Sequence, residues 1–180
     1  MTQNNDTPEL VLTIPTSYDA DLTYWMRARI TVSVLTLLIA EAKQEVIIAT
    51  PYIQRDEGLS KEPLSDALSS ALQRGVQVHI ASTGESLHQL NIDKNLKKYR
   101  SQLHFYQPRA HVQDPNRLGS HAKFWLSDDQ QAYVGSANLT GPGLTQHLEL
   151  GILVKGTVAQ QIYRVWKHLQ EIDFFVKVSV

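Results

Sequence analysis

Six residues between positions 121 and 138 have the types and the spacing of a phosphate-binding site. The segment reads HAKFWLSDDQQAYVGSAN. The six residues are His121, Lys123, Asp128, Gly135, Ser136 and Asn138. An imidazole can attack phosphorus, whereas an ammonium, a hydroxyl and an amide can donate hydrogen bonds to anionic oxygens. This combination predicts a pocket that neutralises a phosphodiester while a nucleophile approaches its phosphorus.

The same segment is predicted to form a β-hairpin, with HAKFWLS and QAYVGSAN as its strands and a turn at Asp128. Side chains alternate between the two faces of a strand, so His121 and Lys123 are expected to share one face. By the same rule, Ser136 and Asn138 are expected to share a face of the return strand. The hairpin would then bring these four side chains into one pocket.

The pattern H-x-K-x4-D-x6-G-S-x-N resembles the HKD motif of the phospholipase D superfamily. The following segment ELGILV also resembles that family, where an acidic residue on this strand supports the histidine. In this chain that residue is Glu149. The stretch GSANLTGPGL, together with LELGILV, is similar to phospholipase D-like proteins of phage-defence islands, notably those of the DISARM type.

The resemblance implies a two-step displacement at phosphorus that requires no metal and no other cofactor. Neutral His121 would attack to form a phosphohistidine, a second and protonated histidine would donate to the leaving oxygen, and water would hydrolyse the intermediate. Lys123, Ser136 and Asn138 would bind the phosphate. Glu149 would orient the imidazole. The motif also contains Asp128, for which a structural role in the turn is expected besides its catalytic assignment.

Only one H-x-K pattern occurs in the chain. Members of the superfamily typically carry two motifs, in one chain or in two, and the mechanism needs two histidines. A second copy of the chain, related by a two-fold axis, would supply the second histidine. The resemblance therefore implies a homodimer whose two histidines titrate as a coupled pair.

The order of apolar patterns predicts the fold class α/β, as a single domain over residues 9–180 after a flexible segment 1–8. Strands are predicted at 10–15, 45–53, 76–82, 103–107 and 148–154, and helices at 24–43, 62–75, 86–100 and 157–170. Strands that alternate with helices favour parallel neighbours. With the resemblance, this predicts a phospholipase D-like α-β-α sandwich with a mixed, mostly parallel sheet flanked by helices.

Composition restricts the class of protein and of site. The chain has 180 residues and no cysteine, which excludes disulfides and thiolate metal sites. The histidines lack the spacing of a zinc site, so no metal is expected. The N-terminal segment has no signal-peptide pattern, and the longest apolar run, 30–40, is too short to span a membrane. A soluble, cytoplasmic protein without membrane contact is predicted.

The charge of the chain is uneven. The net charge is −1, but residues 91–123 hold seven lysines and arginines against two aspartates. A locally basic surface attracts polyanions even when the whole chain is nearly neutral. Arg109 and Arg117, on the loop that leads into the motif, are therefore predicted to contact substrate, although a merely solvated basic surface is also compatible with the pattern.

Three functions are compatible with these features. The leading one is a nuclease that cleaves DNA or RNA, in phage defence beside helicase or other defence-system proteins. The second is a nucleic-acid-binding subunit of a defence or repair complex with little activity alone. The third is a phospholipase or phosphatidyltransferase, which is disfavoured because the chain shows neither a second motif nor an amphipathic basic helix.

Overall fold

The computed structural model describes residues 7–15, 24–90, 94–109 and 119–179, which contain one nine-stranded sheet with helices on both faces. Its strands are β1 (Glu9–Thr13), β2 (Arg29–Ile30), β3 (Glu45–Ala49), β4 (Gln77–Ala81), β5 (Leu103–Pro108), β6 (Phe124–Ser127), β7 (Gln131–Gly135), β8 (Glu149–Lys155) and β9 (Phe175–Val178). Its helices are α1 (Thr31–Glu41), α2 (Leu64–Gln73), α3 (Gly84–Gln89), α4 (Gly141–Thr145) and α5 (Thr157–Glu171). Two 3₁₀ segments cover Gly58–Ser60 and Lys94–Gln102.

The sheet is mixed, which confirms the predicted α/β class. Its strand order is β2-β1-β8-β7-β6-β3-β4-β5-β9. Neighbours are parallel between β1 and β2 and from β3 to β5, and the other five pairings are antiparallel. The expectation of a mostly parallel sheet is therefore wrong, because β6 and β7 form a hairpin and short turns join only antiparallel neighbours.

Two predicted helices have different bounds in the structure. Arg27 adopts φ of +49°, a left-handed conformation that an α-helix cannot contain, so α1 starts only at Thr31. The long helix predicted at 86–100 is instead the short α3 followed by a 3₁₀ segment. The Thr83 side chain accepts a hydrogen bond from the backbone N–H of Ser86 at 3.2 Å and so caps α3 three residues earlier than expected.

Apolar side chains fill both faces of the central strands. Val46 and Ile48 of β3 pack in the layer shared with α1 and α2, whereas Ile47 and Ala49 pack in the layer shared with α5. The continuous apolar run of β3 thus reflects burial on both faces. This double burial fixes the position of the carboxyl end of β3, where the motif lies.

Helix α5 leaves part of its face of the sheet uncovered. The exposed aliphatic side chains on this face are Leu10 of β1, Ile30 of β2, Val134 of β7, and Leu150 and Ile152 of β8. Strand register makes them neighbours, since both Leu10 and Val134 are paired with Ile152. We call these five residues the apolar sheet face. It reaches the start of β8, where Glu149 lies.

A half-buried polar network joins β3, β4 and α5 on the α5 side. The Glu45 carboxylate lies 3.3 Å from His79 Nε2 and 3.6 Å from Lys167 Nζ, and it accepts the Tyr163 hydroxyl at 2.5 Å. The hydrogen bond with His79 is the main cause that lowers the Glu45 pKa from 4.5 to about 2, with Tyr163 and Lys167 adding to it. The network therefore attaches α5 to the sheet through an ionised carboxylate.

This carboxylate should make folding stability depend on acid. Because the folded pKa of Glu45 lies below its unfolded value, its contribution is complete above about pH 4.5 and is lost as the pH falls towards about 2. We expect a loss of the order of 2 kcal/mol. Urea unfolding between pH 7 and pH 3 measures it, and Glu45→Gln should flatten this part of the profile. An unchanged slope in that variant would contradict the assignment.

Candidate active site

His121 and Lys123 lie beyond the carboxyl end of β3. Ala49 of β3 is paired with Phe124, the first residue of the antiparallel β6, so the residues before Phe124 extend past β3. The Lys123 ammonium nitrogen lies 3.2 Å from His121 Nδ1 and 3.2 Å from the His121 carbonyl oxygen. Lys123 is only 7% exposed, whereas His121 is exposed. A buried cation is therefore held beside an accessible imidazole.

Burial also lowers the pKa of Lys123, and the negative charge of Glu149 opposes this shift. A partly desolvated ammonium gains more from an arriving anion than a hydrated one, because less water screens it. An ammonium can only donate, so Nδ1 is the acceptor of this contact when the ring is neutral. The pair therefore places a positive charge directly beside the imidazole.

Side-chain alternation predicts that the hairpin brings the motif side chains to one face, but the observed hairpin register does not. Phe124 is paired with Val134, and the Gly135 N–H donates to the Lys123 carbonyl at 3.2 Å. If this register continued, Gly135 would be the partner of Lys123. Ser136, one residue further, would then point to the other face. The strands β6 and β7 end at the motif residues, so side-chain alternation does not govern where the side chains of the motif meet.

Ser136 and Glu149 form a pair of their own. The Ser136 hydroxyl donates to the Glu149 carboxylate, and the Leu150 N–H donates to the Ser136 oxygen at 3.1 Å. Glu149 was predicted to orient His121, but within the described ranges no hydrogen bond joins the two side chains. The physical reason is the β7–β8 register, which brings the start of β8 to Ser136.

Asn138 contacts Thr50, and Thr50 in turn contacts Tyr52, two residues that the motif does not include. The Thr50 hydroxyl lies 3.3 Å from Asn138 Oδ1 and 3.2 Å from the Tyr52 carbonyl oxygen, and it can donate to either. The Tyr52 ring lies edge-to-face with the His121 ring, with centroids 6.3 Å apart and planes at 81°. Sequence analysis missed Thr50 and Tyr52. Their signal is the segment TPY directly after a buried strand, since ligands bind at the carboxyl ends of strands in open α/β sheets.

Asp128 lies at the opposite end of β6 from Lys123. Its carboxylate accepts the backbone N–H groups of Lys43, Gln44 and Glu45, at 3.1, 2.9 and 2.9 Å. It adopts φ of +51°, which aspartate tolerates in turns. The structure therefore separates Asp128 from the other motif residues, and its contacts fix the link between α1 and β3.

Replacing Asp128 with alanine should destabilise the protein by about 2 kcal/mol, because three backbone donors lose a charged acceptor. Asp128→Asn is the matched variant, and it should cost about half as much since one acceptor oxygen remains. Thermal unfolding gives both values. The cleavage rate per folded molecule should stay within twofold of wild type, and a large fall in that rate would instead place this carboxylate in the chemistry.

The two arginines predicted to bind substrate have different outcomes. Arg109 follows β5, and its guanidinium lies 2.8 Å from the Asp173 carboxylate. Its backbone N–H donates to the Phe174 carbonyl at 2.8 Å. Arg109 is thus already paired, which reduces the charge it offers to a substrate. Arg117 lies outside the described residues.

Tyr133 fills the space beneath the motif. Its ring is fully buried and lies against Gly135 of the same strand and Gly151 of the neighbouring β8. A Cβ atom at Gly135 would lie 2.2 Å from the Tyr133 hydroxyl oxygen, and one at Gly151 would lie 2.4 Å from its Cε2. Burial raises the pKa of Tyr133 to about 12, so the phenol stays neutral. The ring thereby supports the backbone from which Ser136 projects.

Within residues 7–15, 24–90, 94–109 and 119–179, no group of three or more histidine, aspartate and glutamate side chains is arranged to hold a metal ion. In the same ranges, no helix has the length and apolar character needed to cross a bilayer.

Comparison with known proteins identifies relatives over most of the chain. A family model described as cardiolipin synthase, PLD-like domain, matches residues 35–172. DISARM protein DrmC of Bacillus paralicheniformis is 27% identical over 184 residues, which cover 98% of this chain and 68% of DrmC. Cardiolipin synthase B of Salmonella typhi is 31% identical over 130 residues, or 71% of this chain and 29% of that protein. The 5'-3' exonuclease PLD3 of Xenopus laevis is 28% identical over 144 residues, 72% of this chain and 28% of that protein.

The chain therefore spans less than a third of the latter two relatives. Among solved structures, NucT from Helicobacter pylori superposes with a TM-score of 0.63 at 18% identity, covering 96% of this chain and 100% of NucT. At this identity the likeness shows the fold. The motif's predicted resemblance to the phospholipase D superfamily is confirmed, and so is the predicted similarity of the chain to DISARM-type proteins. The chain belongs to the phospholipase D superfamily.

Proposed function

We propose that this protein is a metal-independent phosphodiesterase that cleaves nucleic acid through a phosphohistidine intermediate. The observation that carries the proposal is the placement of the buried Lys123 ammonium 3.2 Å from Nδ1 of the exposed His121 ring. A fixed cation beside an accessible nucleophile is the arrangement that anionic phosphodiesters require.

The motif residues divide the first step between them. The Lys123 ammonium and the Asn138 amide group hold the non-bridging oxygens, and the ammonium moves from Nδ1 to the stronger anionic acceptor. An unprotonated imidazole nitrogen of His121 then attacks phosphorus. A nitrogen–phosphorus bond forms, and the phosphorus–oxygen bond to the leaving strand breaks.

Proton transfer requires a second imidazole. A second, protonated histidine donates its proton to the leaving oxygen. In the second step water attacks the phosphorus of the phosphohistidine and gives its proton to the second histidine. The nitrogen–phosphorus bond breaks, and the phosphorylated strand is released. Both imidazoles return to their starting protonation states, so the cycle needs no metal and no other cofactor.

The second histidine is proposed to be His121 of a second copy of the chain. The apolar sheet face supports this, because it exposes five aliphatic side chains and adjoins the Ser136–Glu149 pair. Burying such side chains against a copy would contribute about 1 kcal/mol each. A two-fold axis through this region would bring both imidazoles to one phosphate and would require them to titrate as a coupled pair.

Two features favour a nucleic acid over a lipid. The relative PLD3 is a 5'-3' exonuclease, and Tyr52 offers an exposed aromatic ring beside His121. The similarity to DrmC favours a role in phage defence beside helicase or other defence-system proteins. A phosphatidyl substrate is the second candidate, because the matching family model is described as cardiolipin synthase.

Cleavage assays in EDTA test the proposal. Purified protein is incubated with end-labelled single-stranded DNA, duplex DNA and RNA, and separately with phosphatidylglycerol vesicles. Cleavage of a polynucleotide in EDTA is the expected result. A requirement for added Mg²⁺ would overturn the mechanism, turnover of phosphatidylglycerol alone would establish the lipid function, and salt-sensitive DNA binding without cleavage would favour a binding subunit.

A further inference from the structure

We propose that Tyr52 forms a nucleobase-stacking subsite beside His121, which makes single-stranded nucleic acid the preferred substrate. This inference rests on the proposed nuclease function and adds to it the class of polymer. The HKD motif does not contain Tyr52, and the residue lies 69 positions before His121 in the sequence.

The backbone around Tyr52 is fixed against the motif. Ile53 forms a parallel bridge with Leu139, and the Gln54 N–H donates to the Leu139 carbonyl at 3.0 Å. On the other side, Thr50 contacts both the Tyr52 carbonyl and the Asn138 amide. These contacts hold Tyr52 and Asn138 as one unit. Any ligand on the Tyr52 ring is therefore at a defined distance from the phosphate-binding residues.

The ring itself is accessible. Tyr52 is 44% exposed, although it lies three residues after the end of a strand whose residues are almost all buried. Its one ring contact in the described part of the chain is the perpendicular one with His121, at 6.3 Å between centroids. An exposed aromatic ring beside a polar site has a free π-surface, which every nucleobase can stack on.

The separation of the two rings suits a nucleotide. A base is joined to its phosphate through one sugar. A phosphate bound at His121 therefore places the adjoining base close to the neighbouring Tyr52 ring. In a duplex this base is paired and already stacked on its neighbours, and unstacking it costs a few kcal/mol. In a single strand the base is available, and stacking on an aromatic side chain contributes about 1–3 kcal/mol.

Two substrates of equal charge test the subsite. One is a ten-nucleotide oligothymidylate, and the other is a backbone of the same length in which every residue is abasic. Tyr52→Ala should lower kcat/KM for oligothymidylate by about 5- to 150-fold, the range that corresponds to the stacking energy. The same variant should lose much less activity on the abasic oligomer, because that substrate has no base to stack on the ring. Tyr52→Phe and Tyr52→Trp keep the ring and should retain cleavage of oligothymidylate.

Tyr24→Ala is the matched control, because Tyr24 is also an exposed tyrosine, at 79%, and its ring contact among the described residues is with Trp25. Equal losses on both oligomers, with a shifted pH profile of kcat, would overturn the subsite and make Tyr52 a positioning residue for His121. Binding of dye-labelled oligothymidylate gives a second measurement. If wild type binds but does not cleave, the nuclease proposal fails while a weaker Kd in Tyr52→Ala still supports stacking; an unchanged Kd overturns it.

Discussion

Replacing His121 with alanine is expected to lower phosphodiester cleavage by about 10⁴-fold or more, because it removes the nucleophile and, in a homodimer, the proton donor as well. The side chain is exposed and contacts only Lys123 and the Tyr52 ring among the described residues. Its loss should therefore change the free energy of unfolding by less than about 1 kcal/mol. Single-turnover cleavage of an end-labelled oligonucleotide in EDTA measures the effect, and thermal unfolding checks the fold.

His168→Ala is a suitable control for this experiment. His168 is an exposed histidine on α5 that pairs with Glu171 at 3.6 Å, far along the chain from the motif. The control should keep wild-type activity. A phosphorylated protein trapped by acid quench should carry its label on His121, and trapping should disappear in His121→Ala. Label at another residue, or activity that survives the substitution, would exclude the phosphohistidine mechanism.

Replacing Ile152 with aspartate is the second change with a large expected effect. Ile152 is 43% exposed at the centre of the apolar sheet face, between Leu10 and Val134, so the isolated chain should tolerate a polar side chain there. A dimer would bury two unpaired carboxylates, which carries a cost of several kcal/mol. We expect the dimer to weaken by at least about 100-fold and cleavage to fall in proportion, since each monomer supplies only one motif histidine, His121.

Val165→Asp is matched to this substitution, because Val165 is a 56% exposed aliphatic side chain on α5 outside the apolar sheet face. Light scattering at micromolar concentration should show a dimer for wild type and for Val165→Asp, and a monomer for Ile152→Asp. Full activity in a monomeric Ile152→Asp protein would show that one chain suffices. A monomeric wild type that cleaves DNA would contradict the shared site directly.

The sequence predicts those features that depend on local patterns. The continuous apolar run of β3 corresponds to a strand buried on both faces, and the helix predicted at 62–75 is present as α2, over Leu64–Gln73. The motif itself predicts that a lysine and a histidine meet, and the 3.2 Å contact between Lys123 and His121 agrees with this. Short-range spacing suffices for these because the residues involved are close in the chain.

Features that depend on register and on long-range contacts are not predictable in this way. Glu149 meets Ser136 because β8 pairs with β7 at a particular offset, and a shift of two residues would have brought the carboxylate elsewhere. Thr50 reaches Asn138 across 88 positions, and no pattern within either segment indicates this contact. Asp128 is the opposite case. It belongs to the motif, but its carboxylate binds the backbone of residues 43–45, far away in the sequence.

The packing of Tyr133 changes how the motif should be interpreted. Gly135 has no side chain to offer the proposed phosphate site, and it must lack a Cβ atom because the Tyr133 ring, and to a lesser degree the Leu150 carbonyl oxygen, occupy that space. Gly151, outside the motif, is required for the same reason. The tyrosine and the two glycines thus form a steric set that should vary together among relatives. A relative with a small residue at the tyrosine position loses the steric reason for a glycine at position 151, whereas at position 135 the backbone oxygen of residue 150 still lies 2.9 Å from a Cβ atom. The motif glycine thus reports the packing beneath the site rather than its chemistry.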